Sequence, residues 1–154
     1  MRRDSRLSGV LHVLLHMAER DEPVTSETMA TIMGSNPAAM RRTMSGLREA
    51  GLVRSEKGHG GGWTIERALS KITLRDIYAS LDSPELFAMG NRTDAPGCLV
   101  EEAVNAALGS AFEEARTLLL DRFAAVTLAE LSADFHGRML ARGKTDNQEI
   151  SHEV

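Results

Sequence analysis

The sequence contains one cysteine and no long apolar run, and these two absences exclude several classes of protein. Cys98 alone cannot form a disulfide within the chain, and a single thiol fits a reducing compartment. No stretch approaches the roughly 18 consecutive apolar residues of a membrane span. The N-terminus leads into an amphipathic pattern and lacks the apolar centre of a secretory signal. The sequence therefore predicts a soluble cytoplasmic protein that does not enter a membrane.

Aromatic residues are scarce and motifs typical of enzymes are missing. Only 4% of the residues are aromatic while 42% are hydrophobic, so aliphatic side chains and methionine must fill the core. The glycines near residue 60 lack the Lys-Ser/Thr that follows a phosphate-binding loop, and they lack the spacing of a dinucleotide fingerprint. Cys98 has no histidine placed in a recognisable catalytic motif. We therefore predict that the protein is not an enzyme.

Charge is unevenly distributed along the chain. The formal net charge is −4, yet residues 1–80 hold 12 lysines and arginines against 9 acids, and residues 81–154 hold 6 against 13. Because DNA affinity depends on local neutralisation of phosphates, a basic first half can bind DNA in a chain that is acidic overall. Chance segregation of charge in an ordinary acidic protein is the alternative that this pattern leaves open.

Hydrophobic periodicity and capping residues divide the first half into short elements. They predict helices over 6–19, 26–33, 36–50 and 73–81, with a strand pair over 51–65. Thr25 or Ser26 can cap the second helix, and Ser35 or Asn36 can cap the third. The third helix turns its methionines inward and its arginines outward, and it leads directly into the glycine-tipped strand pair. This layout is typical of a winged helix-turn-helix, which is mostly α with a small β-hairpin wing.

The sequence pattern in the second half of the chain predicts a loop, a long helix, a last helix and a tail. Residues 82–97 contain turn formers and little periodicity, and a long helix begins near Cys98. Thr127 with Glu130 forms a capping box for a helix over 128–141. The long helix carries an alanine-rich apolar stripe of Val100, Val104, Ala107, Leu108, Ala111, Ala115, Leu118 and Leu119. Small residues let a second helix approach closely, so the stripe favours dimerisation over a helix folded back on its own domain.

These elements predict a domain organisation. Residues 1–81 form a winged helix-turn-helix DNA-binding domain, 82–97 a loop, 98–142 the dimerisation helices and 143–154 a disordered polar tail. In such a domain one helix enters the major groove of DNA and the hairpin contacts the backbone or the minor groove beside it.

Several segments resemble one family. The resemblance covers roughly residues 1–135, is strongest in the run from Lys57 through three glycines to Trp63, and extends to the segments 51–53, 72–77, 2–18 and 127–131. These segments resemble the Rrf2 family of bacterial winged-helix regulators, the IscR-, NsrR- and CymR-like proteins. The resemblance implies a homodimer clasped by the long helix, with two winged units on a near-palindromic operator, usually acting as a repressor.

The resemblance also implies which residues contact DNA. Arginine is the best bidentate reader of guanine, and hydroxyl groups at a helix N-terminus can hold a phosphate. Glycines at the wing tip would let the backbone approach the duplex closely. The residues implied are Thr25 and Ser26 at the second helix, Asn36, Ala38, Ala39, Arg41, Arg42, Ser45 and Arg48 on the recognition helix, and Lys57, His59, Gly60, Gly61 and Gly62 in the wing.

Cys98 is the main candidate for sensing a signal. Many family members hold an iron–sulfur cluster through three cysteines, and this chain matches only the last of them, so we expect no cofactor. Cys98 opens a helix, where a reactive thiolate is favoured, although Glu101 and Glu102 oppose it. An inert buried cysteine is the alternative. A cluster completed by His12 or His16 of a partner chain, or a small ligand, stays open as another input.

Two further alternatives remain. His12 and His16 are spaced to chelate a metal on one helix face, but no further motif surrounds them, and we expect no metal site there. A winged-helix module that serves protein contacts without DNA is the alternative function. Arg41, Arg42 and Arg48 of the third helix and Lys57 of the wing argue against it, because such a module has no need of them.

Overall fold

Six helices and a two-stranded hairpin form the part of the chain that the structure describes. This computed structural model describes residues 3–150, and side chains are placed for residues 3–143. The elements are α1 (Arg6–Ala18), α2 (Ser26–Met33), α3 (Pro37–Glu49), β1 (Val53–Glu56), β2 (Gly62–Ile65), a short 3-10 helix (Leu69–Lys71), α4 (Leu74–Ser80), α5 (Leu99–Ala125) and α6 (Leu128–Ile150).

Side-chain caps determine where α2 and α3 begin. The hydroxyl of Thr25 accepts a hydrogen bond from the backbone N–H of Thr28 at 3.1 Å. The side-chain amide oxygen of Asn36 accepts one from the backbone N–H of Ala39 at 2.8 Å. Each cap satisfies a backbone donor that the first helical turn leaves free. The two open choices of cap are thus resolved in favour of Thr25 and Asn36.

The hairpin is joined to the loop before α2. β1 and β2 pair antiparallel, with Val53 opposite Ile65 and Glu56 opposite Gly62. Val24 and Trp63 exchange two backbone hydrogen bonds of 2.9 Å, so the chain before α2 lies beside β2 like a short third strand. The wing is therefore fixed to the helix-turn-helix by backbone bonds as well as by packing.

The connection between α5 and α6 returns to the first domain. The N–H of Leu128 donates to the carbonyl of Ile72 at 2.9 Å, and the N–H of Leu74 donates to Val126 at 3.0 Å. The Leu128 side chain is fully buried in the same core as α1, α3 and α4. The core of the predicted domain over 1–81 therefore takes in the start of α6, while α5 itself has no buried residue.

The predicted fold class is confirmed, and the last helix is longer than predicted. The helices expected over 6–19, 26–33, 36–50 and 73–81 are present to within a residue at each end. The last helix, expected to end at about 141 before a disordered tail, continues to Ile150 through a segment that contains no proline. Residues 151–154 of the expected tail lie outside the described residues. Among the described helices, none is long and apolar enough to cross a membrane.

Candidate nucleic-acid interface

The third helix separates its apolar and charged residues as the sequence predicts. Met40, Met44 and Leu47 are buried in the core. Arg41 and Arg42 lie on the opposite, exposed side of α3. The other residues assigned to this helix are less uniform, with Ala38 and Arg48 exposed and Ala39 and Ser45 half-buried. The helix therefore presents a basic face to solvent, the property that a major-groove reader needs.

Thr25, Ser26 and Asn36, which were assigned to DNA contact, accept hydrogen bonds from within the protein through their side-chain oxygens. Ser26 is only 6% exposed, and its hydroxyl accepts a hydrogen bond of 3.1 Å from the indole N–H of Trp63. A phosphate contact through the Ser26 hydroxyl is therefore wrong, because that oxygen lies in the core. Asn36 has its amide oxygen in the α3 cap, so it cannot also make the two-point contact with adenine that uses both amide atoms. Thr25 remains exposed at the start of α2.

The two neighbouring arginines of α3 differ in their surroundings. Arg41 donates from Nη2 to Oε1 of Glu27, on α2, across 2.6 Å. Within residues 3–143, the Arg42 guanidinium makes no hydrogen bond or ion pair. Arg42 is thus free to contact a phosphate or base, while the guanidinium of Arg41 already has a partner on the other helix of the motif.

Arg48 connects the end of α3 to the wing. Its guanidinium carbon lies 5.8 Å from the centre of the Trp63 ring, and its Nη1 approaches the Ser55 hydroxyl at 3.4 Å. A cation over an aromatic face is attracted by the negative face of the ring. The structure thus gives Arg48 a role in holding the recognition helix against the hairpin, beside its predicted role on the DNA surface.

The polar residues at the tip of the wing are exposed, whereas two of its glycines are half-buried. Lys57, His59 and Gly60 are exposed, and Gly60 has a φ of +78°, a left-handed conformation that favours glycine. Gly61 and Gly62 are half-buried. A Cβ at Gly62 would stand 2.7 Å from the carbonyl oxygen of Val24. Packing within the protein therefore explains why position 62 is a glycine. Close approach to DNA can explain only a glycine that is exposed at the tip, such as Gly60.

Arg54, on β1, is a basic residue of the wing that is already neutralised. It bonds Glu66 at 3.1 Å and Glu56 at 3.3 Å. These hydrogen bonds, with that to Glu66 the stronger influence, raise the pKa of Arg54 above its ordinary value. Both carboxylates face its charge, so Arg54 contributes little net positive potential to the wing.

Arg6 lies near the recognition helix, and the sequence analysis did not include it. It lines the same surface groove as Arg41 and Arg42, between α3 and the end of α4. Asp4 holds Arg6 through a contact of 2.7 Å, and the side-chain hydrogen bond from Arg6 lowers the pKa of Asp4. The available signal was a basic residue in the first turn of a helix, where the helix dipole disfavours it.

Cys98 is exposed and caps the start of α5 without a side-chain hydrogen bond. The alternative of a buried cysteine is therefore wrong for the single chain. Glu101, in the first turn, accepts a hydrogen bond from the N–H of Gly97 at 3.1 Å and pairs with Arg92. One of the two acids expected to oppose a thiolate is thus partly neutralised, and Glu102 is exposed.

Among the side chains that the structure describes, the apolar stripe of α5 is exposed except at Leu119, which is half-buried. Exposed fractions are 73% for Val100, 49% for Val104 and 74% for Leu118. The adjacent face of α5 packs on its own chain, where Phe112 stacks on Phe87 and Phe123 meets Tyr78 edge to face. The helix thus has one satisfied face and one exposed apolar face. Leu99 and Met89, which the sequence analysis did not single out, are also exposed, at 80% and 75%.

Comparison with known proteins identifies the family. A profile of the Rrf2 family, described as an iron-dependent transcriptional regulator, matches residues 3–134. The chain belongs to the Rrf2 family. It is similar to YwnA of Bacillus subtilis strain 168, which is classed as a helix-turn-helix transcriptional regulator, with 28% identity over 129 residues that cover 83% of this chain and 95% of YwnA. This Rrf2-family chain is thus a DNA-binding transcriptional regulator and not an enzyme.

Solved structures share the fold of this Rrf2-family chain. A transcriptional regulator from Lactobacillus plantarum has a TM-score of 0.71 at 24% identity and covers 94% of this chain and 99% of its own. CymR, the global cysteine regulator of Bacillus subtilis, has a TM-score of 0.61 at 21% identity and covers 86% of this chain and 98% of its own. At these identities the likeness establishes the winged-helix fold with its long C-terminal helix.

The description of the family names iron. Whether this chain can bind an iron–sulfur cluster depends on the ligand atoms that its side chains provide. A cluster is commonly held by four protein ligands that are mostly thiolates, and the sequence has one cysteine. Among the side chains described, no three of His, Cys, Asp and Glu lie close enough to hold a metal ion. The Nε2 atoms of His12 and His16 are 2.9 Å apart on α1, which provides two donors at most. One chain therefore does not supply the ligands of an iron–sulfur cluster.

Proposed function

We propose that this Rrf2-family regulator is a homodimer that binds a near-palindromic operator and represses transcription in the cytoplasm, where bacterial DNA lies. The observation that carries the proposal is the basic face of α3, with Arg41 and Arg42 exposed beside a wing that is bonded to the helix-turn-helix. A repressor needs only to occupy its operator.

The DNA contacts follow from which side chains are free. Arg42 has no internal partner among the described residues and is placed to read a guanine or to bind a phosphate. Ala38, exposed near the start of α3, can contact a thymine methyl group. The N–H groups that stay free at the start of α2, beside the exposed cap Thr25, suit a phosphate. Lys57 and His59 reach the backbone beside the groove. Ser26 supports this surface from the core, and Asn36 supports it by capping α3.

Dimerisation through α5 explains the exposed apolar stripe. The helix has 27 residues and is therefore about 40 Å long. Val100, Val104, Leu108 and Leu118 leave a contiguous apolar face in water, which a monomer rarely tolerates on this scale. Pairing two such helices about a two-fold axis buries both stripes and sets the two α3 helices at a fixed distance. A fixed distance selects half-sites about one helical turn of DNA apart.

We propose that modification of the Cys98 thiol is the signal. Cys98 is exposed and lies at the junction of the 82–97 loop and α5, between the DNA-binding domain and the dimer helix. Oxidation or addition of an electrophile there adds bulk or charge where the two parts join. A change of angle at this junction would alter the spacing of the two recognition helices and release the operator.

The first experiment selects the DNA that the protein prefers. Full-length reduced protein is used to enrich sequences from a random duplex pool, and binding to an enriched duplex is then measured by fluorescence anisotropy. We expect a near-palindromic consensus. Arg42→Ala should weaken binding to it by about fivefold or more, as expected for one good base contact. Arg138→Ala, on α6 and paired with Asp134, should leave binding unchanged.

The same assay tests the thiol signal. Mild peroxide should release wild-type protein from the enriched duplex and leave Cys98→Ser bound. If peroxide changes neither protein, Cys98 is not the sensor, and the proposed signal is wrong while DNA binding stands. If wild-type protein enriches no sequence at all, the operator proposal fails, and a module for protein contact becomes the better reading.

A further inference from the structure

An acidic side chain lies on the surface that the proposed function turns towards DNA. Glu27 is in the first turn of α2, two residues after the cap Thr25, and its side chain is 63% exposed. The positive end of the helix dipole accounts for an acid at this position in the free protein. The same place, however, is where the N-terminus of α2 would receive a phosphate, and a carboxylate repels one.

The position of Glu27 is explained by what it touches. Its Oε1 accepts a hydrogen bond from Nη2 of Arg41 at 2.6 Å, across the turn of the helix-turn-helix. Both side chains are more than half exposed, at 56% for Arg41 and 63% for Glu27. Exposed ion pairs of this kind contribute little to the stability of a fold. The stability of the domain is therefore a weak reason for this pair.

The pair has a clear consequence for the arginine. A guanidinium carries several N–H donors in a rigid fork, and Glu27 engages one nitrogen of Arg41. The remaining donors are free to reach O6 and N7 of a guanine. A long arginine side chain that is already held in one direction loses less conformational freedom when it binds. A held arginine also tolerates an alternative base poorly, because it cannot turn aside to a phosphate.

We propose that Glu27 is a positioning residue that directs the Arg41 guanidinium to one guanine of the operator, so that it raises specificity and lowers affinity for DNA in general. This inference rests on the proposed DNA binding. Arg42 provides the internal contrast, because it is adjacent on the same helix and has no acidic partner among the described side chains. Its contribution to binding does not depend on Glu27.

The test measures discrimination between bases. Full-length protein is titrated by anisotropy against an enriched duplex, single-base variants of it and a random duplex. Glu27→Ala should reduce the preference at one guanine position by roughly fivefold, the lower range for one bidentate contact. It should also strengthen binding to random DNA. Glu27→Gln, which keeps an acceptor oxygen without the charge, should retain part of the base preference and bind random DNA as strongly as Glu27→Ala.

Two double variants and one control variant distinguish positioning of Arg41 by Glu27 from a general effect of the protein's net charge. In an Arg41→Ala background, Glu27→Ala should cause no further loss of discrimination, whereas in an Arg42→Ala background the full loss should remain. Glu22→Ala removes an exposed acid from the loop before α2 and should leave base preference unchanged. Thermal unfolding followed by circular dichroism establishes that each variant is folded.

The outcomes that overturn the proposal are distinct from failure of DNA binding itself. If Glu27→Ala keeps the wild-type preference at every position, Glu27 does not position Arg41. If Glu22→Ala loses as much preference, or if the loss persists in the Arg41→Ala background, net charge explains the effect. If wild-type protein selects no sequence, the proposed function is at fault, and the role of Glu27 falls with it.

Discussion

Leu108→Glu on α5 should convert the proposed dimer to a monomer. Leu108 lies near the middle of the 27-residue helix, within the unpartnered apolar stripe, and is 40% exposed in the single chain. Val104 and Ala111 flank it on the same face, one turn away in either direction. A second copy of the stripe would cover it. A carboxylate at this position would then lie between two apolar surfaces, and none of the α5 positions one turn away from Leu108 carries a basic side chain that could pair with it.

The magnitude follows from the symmetry of a homodimer. Removing a charge from water without a partner costs several kcal/mol, and a partly open helix interface reduces this to about 2–4 kcal/mol for each copy. A two-fold dimer contains the residue twice, so the free energy of association should fall by about 4–8 kcal/mol. At 1.4 kcal/mol for each factor of ten, the dimer dissociation constant should rise at least about a thousandfold.

Sedimentation equilibrium over a range of protein concentrations measures that constant. Ala106→Glu is the matched control, because Ala106 is exposed on the opposite side of α5 and receives the same new charge. We expect wild type and Ala106→Glu to be dimers and Leu108→Glu to be a folded monomer. A Leu108→Glu protein that dimerises as tightly as wild type would refute the choice of face. A monomeric wild type would refute dimerisation.

Two predictions concern the stability of the domain. Leu128→Ala should lower the free energy of unfolding by about 2–5 kcal/mol, because the side chain is fully buried, while Leu140→Ala, at 64% exposure, should change it by about 0.5 kcal/mol or less. Urea denaturation measures both, and equal effects would show that the start of α6 is not part of the core. Trp63→Phe should cost about 1–3 kcal/mol because the Ser26 hydroxyl loses its buried donor, and adding Ser26→Ala should restore part of that loss. A double variant no better than Trp63→Phe would contradict this reasoning.

The helices were predictable from the sequence because their signals are local. The capping box of α6 is an example, since Thr127 and Glu130 are three residues apart and bond each other's backbone N–H at 3.2 and 2.7 Å. The apolar spacing of α3 likewise fixed which side faces the core. The end of α6 was not predictable in the same way, because the residues after Gly143 combine polar character, which favours disorder, with helix-forming side chains.

The details of the candidate site depend on contacts between residues that are far apart in the sequence. The hydrophobic periodicity of the sequence carries no information about such contacts. Ser26 and Trp63 are 37 positions apart, and their buried hydrogen bond changes a predicted phosphate ligand into a core residue. The Glu27–Arg41 pair spans 14 positions. In the sequence Gly62 stands among the glycines of the wing, yet the backbone of Val24 is what excludes a side chain there. A local pattern identified the surface but not the partners within it.

Lys57 and Arg48 should respond differently to salt, although both are basic residues at the wing. Lys57 is exposed at the tip, and if it neutralises one phosphate, Lys57→Ala should reduce the slope of log affinity against log salt by about 0.9. The charge of Arg48 is directed at the Trp63 ring, 5.8 Å away, and at Ser55. Arg48→Ala should therefore weaken operator binding with little change of slope, because it loosens the angle between helix and wing.

Anisotropy titrations of the enriched duplex over a series of salt concentrations separate the two roles. A slope that falls as much for Arg48→Ala as for Lys57→Ala would mean that Arg48 leaves the ring and contacts a phosphate when DNA binds. In that case the contact with Trp63 belongs to the free protein alone. An unchanged slope with weaker binding would instead mean that the contact persists in the complex. The wing then acts through its rigid attachment to α3 as well as through its own charge.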